Sequence, residues 1–443
     1  MFVFLKRFFV VAGIMTLVFA FSGCTAFETD TEALLSPPVF TEEQENLNFA
    51  LTEVIGEDYV LKYPENGSTN SAFIFEDLDE DGTEEAIAFY SVLDENTRIN
   101  VLKNEKGKWI SVYTAPGFYG DIQKVDFVKI DEKGPAVIIK WEQEIGIYRY
   151  EKEKLESVYR EICEGFEVAD IDGNGFHEVA VFTGSPMRRT MVNIIHGENG
   201  GIKVSEQISI HAQYDKIYAK TSGLLNEGKS AYFIDSEISE GVYLTEIMTF
   251  ENGEAKREFV ADFVETGDEK TEEDTSGIVV VLGGDYGERG IFLRNTKIGC
   301  LDTNGDGIIE MPVELREDYA QDKSSEIFFL QYMQYNGEKS EPVWNGVANT
   351  ESGYLFTVPE SWNKKVSVQN GSSTDSFVFT NVKTGAAVLE IFAVSKNDYQ
   401  DKYEDYILAA EDETKNYYVK LAEGEESEFY IAPETISESF IFI

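Results

Sequence analysis

Three short stretches carry acids at a spacing suited to a hard cation: DLDEDGTEE (77–85), DIDGNGFHE (170–178) and DTNGDGIIE (302–310). Each fits D-x-[DN]-x-[DN]-G-x-x-E. Calcium gathers roughly six to eight oxygens at about 2.3–2.6 Å. Side chains at loop positions 1, 3 and 5 all turn inward when the backbone curls around an ion. The glycine at 6 permits the sharp turn, position 7 offers its carbonyl, and the acid at 9 closes the shell. The candidate ligands of the first loop are Asp77, Asp79, Asp81, the carbonyl of Thr83, and Glu85. Those of the second are Asp170, Asp172, Asn174, the carbonyl of Phe176, and Glu178. Those of the third are Asp302, Asn304, Asp306, the carbonyl of Ile308, and Glu310. Turn capping by aspartate explains one acid per loop readily and three poorly. Like charges this close destabilise one another without a counter-ion. Magnesium resists so dehydrated a shell, and zinc would need Cys or His beside the acids.

An EF-hand would need a bidentate Glu at position 12 and flanking helices. Position 12 here is Ala88, Val181 and Val313. Strand-prone runs follow the first two loops, although Pro312 weakens the strand start after the third. The loops resemble the calcium loops of the FG-GAP/VCBS repeat family, and the resemblance spans residues 60–347. It implies a calcium-stapled β-propeller. Two further units keep the frame and lose the acids. VKIDEKGPAVIIKW (128–141) has Asp131 followed by Lys133-Gly134, and LLNEGKSAYFID (224–235) has Asn226 and Gly228. Both are expected to be metal-free. With Asp77, Asp131, Asp170, Asn226 and Asp302 equivalent, about five units of blade size are recognisable. An acidic insertion near 261–276 lengthens the interval before the last.

No catalytic set accompanies the loops. The chain has no G-x-S-x-G elbow, no H-E-x-x-H and no Walker pattern. His177, His196 and His211 have no neighbouring nucleophile in sequence and are expected at the surface or in packing. The glycine-rich GGDYGERG (283–290) follows no βα pattern and reads as a loop. A carboxylate pair for glycoside cleavage is a second reading, because 82 acids can hide one. Trp109, Trp141, Trp344 and Trp362 are expected in cores rather than on sugars. A calcium-responsive envelope sensor is a third.

The elements that must position the loops follow. Residues 1–23 read as a signal peptide: Lys6 and Arg7, then an apolar run from Phe8 to Phe21, too short to span a bilayer. Phe21-Ser22-Gly23-Cys24 resembles a bacterial lipobox, which implies lipidation at Cys24, a membrane anchor and an extracellular protein. The formal net charge of −45 disfavours nucleic acid and attracts divalent cations. The unknown ligand is a protein or a glycan. Cys163 and Cys300 either form one bridge or stay as two buried thiols.

Residues 24–57 are a tether and a short helix, with a capping-box pattern at Thr41 and Gln44, apolar Leu47, Leu51 and Val54, and a stop at Gly56. From 58 to 347 the pattern is short strands with turn signals, among them Asn104–Lys108 and ENGG (198–201). From 350 to 443 a separate small α/β sandwich is expected, with a helix over 397–411 carrying Tyr399, Tyr403, Tyr406 and Ala410, and strands at YYVKLA and EFYIA. Tyr354-Leu355-Phe356-Thr357-Val358-Pro359-Glu360-Ser361-Trp362 resembles the opening strand of PsbP-like domains, which implies partner binding. The fold class expected is therefore mainly β, an FG-GAP/VCBS-like propeller followed by that domain.

Overall fold

The structure is a computed structural model. It describes residues 41–443 except 68, 93–95, 185–189, 227, 259–262, 265–278, 281–292, 316–326, 328, 337–338, 372–375, 399–400, 423 and 425–426. The signal peptide, Cys24, most of the acidic insertion and GGDYGERG lie outside the described residues.

Helix α1 (Glu42–Ile55) starts at the expected capping box: Thr41 Oγ1 accepts from Gln44 N at 3.2 Å, and Gln44 Oε1 accepts from Thr41 N at 3.0 Å. Gly56, at φ +86°, ends it. Leu47, Ala50 and Leu51 are buried. Val54 is exposed, a correction to the expected stripe, because Ile55 turns toward the core in its place.

The rest is strand, folded as successive antiparallel sheets in chain order. The first contains β1 (Val60–Lys62), β2 (Phe73–Glu76), β3 (Glu85–Ser91), β4 (Arg98–Glu105) and β5 (Lys108–Pro116). β1 and β2 pair successive halves of one edge of β3, so the sheet is effectively four strands wide. The second is the meander β6 (Ile122–Val128), β7 (Ala136–Trp141), β8 (Glu144–Glu151) and β9 (Lys154–Ile162). The third is β10 (Gly165–Ala169), β11 (Glu178–Gly184), β12 (Thr190–Glu198) and β13 (Gly201–Val204), with β14 (Ile208–Ile210) also on β12.

The fourth is β15 (Ile217–Leu224), β16 (Ser230–Ser239), β17 (Val242–Glu251) and β18 (Glu254–Arg257). Beyond a short pair, β19 (Phe263–Val264) with β20 (Val279–Val280), strand β21 (Leu293–Arg294) returns to β17. The five recognisable units of the sequence thus each open a sheet. Tight hairpins close where Asn-Gly and Lys-Gly pairs occur: Lys106 and Gly107, and Asn199 and Gly200, all have positive φ.

Neighbouring sheets face each other, so the second strand of each unit is buried on both faces and reads as an unbroken apolar run. In β3, Ala86, Ala88 and Tyr90 pack under α1, whereas Ile87 and Phe89 pack on Val137, Ile139 and Trp141 of the second sheet. Val179 and Val181 face the second sheet, and Ala180 and Phe182 face the fourth. Among the described residues one apolar cluster lies between each pair of consecutive sheets. The fold is a β-propeller-like repeat whose first face is covered by α1.

The fifth sheet changes the expected domain organisation. It consists of β22 (Met311–Glu314), β23 (Phe329–Tyr335), β24 (Ser340–Asn349), β25 (Tyr354–Val358) and, after the rest of the chain, the terminal β31 (Phe440–Phe442). The boundary expected between 347 and 350 falls inside it, because Asn349 pairs with Tyr354 across a hairpin. Pro312 is accommodated because β22 is an edge strand. A sixth sheet has the order β26 (Val366–Asn370), β27 (Ser376–Asn381), β28 (Ala387–Ser395), β30 (Lys415–Leu421), β29 (Ile407–Glu411). One core joins Phe329, Val347, Phe356 and Phe440 of the fifth sheet to Phe379, Leu389, Ile391 and Val419 of the sixth.

The helix expected over 397–411 is not formed. Asp401–Tyr403 is one 3₁₀ turn and Ile407–Glu411 is strand β29. Tyr403 stacks on Tyr418 at 4.9 Å and Tyr406 lies 5.4 Å from Phe392, so the aromatics meet a sheet rather than line a helix. The expected strand at EFYIA is likewise irregular, and it leads into the single turn α2 (Pro433–Ile436), a 3₁₀ turn and β31.

Candidate metal centre

The first two acidic loops join β2 to β3 and β10 to β11, the third runs into the edge strand β22 and is closed by a single Leu301–Glu310 bridge, and all three repeat one hydrogen-bond scaffold. The first-position carboxylate accepts from the glycine at position 6: Gly82 N to Asp77 Oδ2 at 3.0 Å, Gly175 N to Asp170 Oδ2 at 3.0 Å, Gly307 N to Asp302 Oδ2 at 2.8 Å. The fifth-position side chain accepts from the seventh amide: Thr83 N to Asp81 Oδ1 at 2.9 Å, Phe176 N to Asn174 Oδ1 at 2.7 Å, Ile308 N to Asp306 Oδ1 at 2.8 Å. The closing glutamate accepts from the second amide: Leu78 N to Glu85 Oε2 at 3.1 Å, Ile171 N to Glu178 Oε2 at 2.7 Å, Thr303 N to Glu310 Oε2 at 2.7 Å. The glycines hold φ of +87°, +89° and +83°. These are conformations that L side chains avoid, which is why glycine stands there.

Asp77 and Asp302 give both oxygens to backbone amides of their own loops, whereas Asp79, Asp81, Glu85 and Asp170 each leave one oxygen clear of the loop backbone. In the second loop Asp170, Asp172 and Glu178 each offer an oxygen within 4.8 Å of the others, and so do Asp77, Asp79 and Glu85 in the first. Asp170 Oδ1 is buried with no hydrogen-bond partner. Glu178 is 1% exposed, and burial pushes its carboxyl up to about 7. No Lys, Arg or His nitrogen among the described residues pairs with an acid of this loop. A buried carboxylate with acidic neighbours and no counter-charge fits a hard divalent ion. The donor set of the second loop therefore suits calcium, with Asp170, Asp172, Asn174 and Glu178 as the side chains that would hold it.

The other two loops differ in what stands across the hairpin. Lys103 of β4 places its ammonium 3.1 Å from Asp79, 3.2 Å from Asp81 and 3.6 Å from Glu85. Burial pushes the Glu85 carboxyl upward, with Asp79 adding to the rise, and the hydrogen bond from Lys103 pulls Asp81 down. In the third loop the amide of Gln334 donates to Asp306 at 3.2 Å and to Glu310 at 2.7 Å. Asn304 donates to Asp306 at 3.0 Å. Sequence spacing does not reveal Lys103 or Gln334, which reach the loops only through strand register.

The two acid-poor units carry their own charge pairs. Arg149 binds Asp131 at 2.6 Å and also donates to the Gly134 carbonyl. Lys229 pairs with Glu251 at 3.2 Å and with Glu258 at 2.7 Å.

The remaining candidates are structural. His177 is exposed, His196 lies edge-on to Phe250 at 4.9 Å, and His211 Nδ1 pairs with Glu246 at 3.0 Å. Trp109, Trp141 and Trp362 are core residues. Trp344 stacks on Tyr332 at 4.2 Å and donates to Thr303 at 2.8 Å, beside the third loop. Cys163 and Cys300 are buried free thiols, and burial pushes Cys163 up to about 11. Among the described residues no helix is long and apolar enough to cross a membrane.

No family model matches the chain, and no curated protein does. Solved structures similar to it include Saccharomyces cerevisiae Sqt1, at 7% identity and TM-score 0.33, covering 80% of this chain and 98% of that one. The rhamnogalacturonan lyase PL11 of Bacillus licheniformis follows at 11% and 0.31, covering 81% and 74%. The WD40 domain of SCAP from fission yeast stands at 10% and 0.27, covering 76% and 70%. Likenesses at this level carry no argument about ligand or activity.

Proposed function

We propose that the chain is a calcium-stabilised binding or scaffolding module, held at the outer face of a cell membrane by a lipid on Cys24. The observation that carries the calcium reading is the second loop. Three acids converge within 4.8 Å, one carboxylate is enclosed, and among the described residues no Lys, Arg or His pairs with them. An ion there neutralises the loop, fixes the entry of β11 and couples folding to external calcium. The repeat of the same scaffold in FG-GAP/VCBS-like frames, and the fusion of the last unit to a broad C-terminal sheet, suit a display role with a protein or glycan partner. Thermal melting of the purified chain in EDTA, then in millimolar calcium or magnesium, tests it. Stabilisation by calcium and not by magnesium is expected, and Asp170→Ala with Asp172→Ala should remove most of it. Identical melting in all three conditions overturns the reading. Loss of membrane association in Cys24→Ala tests the anchor separately.

A further inference from the structure

The residue directly across the hairpin from each closing glutamate differs among the three loops. Ala86 pairs with Leu102, Val179 with Ile195 and Met311 with Met333. One step further along the same registers, Glu85 stands opposite Lys103, Glu178 opposite His196, and Glu310 opposite Gln334. We propose that Lys103 is the built-in cation of the first loop: its ammonium holds the place of the metal ion, so the first loop binds no calcium in the native chain. The proposal rests on the reading of these loops as calcium sites and assigns their unequal occupancy.

Geometry carries the assignment. The ammonium touches Asp79 Oδ2, Asp81 Oδ2 and Glu85 Oε1 at 3.1, 3.2 and 3.6 Å. The backbone scaffold leaves those three oxygens free, since Leu78, Asp81 and Thr83 bond to the opposite oxygens of the same carboxylates. Calcium would have to approach the same oxygens at about 2.3–2.6 Å. Two cations do not share that space.

Charge agrees. The first loop has an acid, Asp81, where the second has Asn174. The extra carboxylate and the lysine occur together. His196 turns to Phe250 and leaves Glu178 uncompensated. Gln334 supplies hydrogen bonds and no charge. The first loop is therefore a metal-independent version of the motif.

Calcium stoichiometry, measured by equilibrium dialysis of the full chain, tests this with Lys103→Met and Lys103→Gln, alongside melting in EDTA. Each variant is expected to bind one more calcium than the wild type. Each should also melt below the wild type in EDTA and recover in calcium. Lys103→Gln copies the third loop and serves if the Met variant does not fold. An unchanged stoichiometry with a wild type that binds calcium overturns the Lys103 assignment and leaves the calcium reading standing. A wild type that binds none, with variants that bind one, supports Lys103 and overturns the calcium reading for the other loops. No calcium bound by any of the three overturns both, and equal melting of variants and wild type in EDTA overturns the Lys103 assignment alone.

Discussion

Arg294 and Asp235 meet at 2.6 Å with no exposed surface on either side chain. The pair fastens the returning strand β21 to the fourth sheet. Arg294 also donates to Thr245 Oγ1 at 2.9 Å and to the Ile298 carbonyl at 2.8 Å, and Asp235 accepts from Cys300 N at 2.8 Å. Removing one partner leaves a buried charge uncompensated, which costs roughly 3–5 kcal/mol, whereas replacing both with apolar groups restores much of it. Arg294→Met should therefore lower the denaturant midpoint strongly, and Arg294→Met with Asp235→Leu should recover most of the loss. A double variant as unstable as the single would refute the buried-charge account.

Glu258 gives a pH signature away from the loops. Burial alone would raise its carboxyl, but hydrogen bonds from Lys229 at 2.7 Å, Thr249 at 2.6 Å and Lys256 at 3.0 Å overcome this and hold it at about 2. The folded value lies below the unfolded one, so the folded state favours the carboxylate. The contribution is present above about pH 4.5 and is lost as pH falls through about 2. Glu258→Gln should cost about 2 kcal/mol near neutrality, and the variant's stability should fall less steeply than the wild type's between pH 4.5 and 2. Parallel acid limbs in urea denaturation would count against it.

The loops were legible in the sequence because their logic is local. An Asx turn, a glycine at φ near +85° and a closing acid all fall within nine residues of one another, as in Asp170–Glu178. Lys103 was not legible. It reaches Glu85 only through the register of β3 on β4, and the connection between them, 92–97, is too long for the register to be counted from a tight turn. The C-terminal helix failed for a related reason. Tyr403 and Tyr406 have helical spacing, but their rings pack on Phe392 and Tyr418 of a neighbouring sheet, and that packing overrides the period. The boundary near 350 was misplaced because the change in composition there marks a hairpin, whose two strands share a sheet.

That hairpin makes the C-terminal region dependent on the repeat. Phe379 lies 6.4 Å from Phe329, 5.7 Å from Phe356 and 5.6 Å from Trp362, so its core draws on both sides of residue 350. Phe379→Ala should cost about 3–5 kcal/mol. A fragment of residues 350–443 lacks Phe329, Val347 and the β24 partner of β25. It should give a poorly dispersed amide NMR spectrum, and a dispersed, cooperatively melting fragment would refute the shared core.

Glu178 is where metal and fold meet most directly. Its carboxylate is enclosed, accepts from Ile171 N at 2.7 Å and lies beside Asp170 and Asp172. Glu178→Gln keeps the shape and the accepting oxygen for Ile171 N while removing the charge that would close a calcium shell. In EDTA the variant should match or exceed the wild type, because the enclosed charge is gone. In calcium it should gain less. An ion at about 100 times its dissociation constant stabilises by about 2.7 kcal/mol, and that increment for the second loop is what the variant should lose. A variant that loses stability in EDTA and keeps the full calcium increment would place the ion elsewhere.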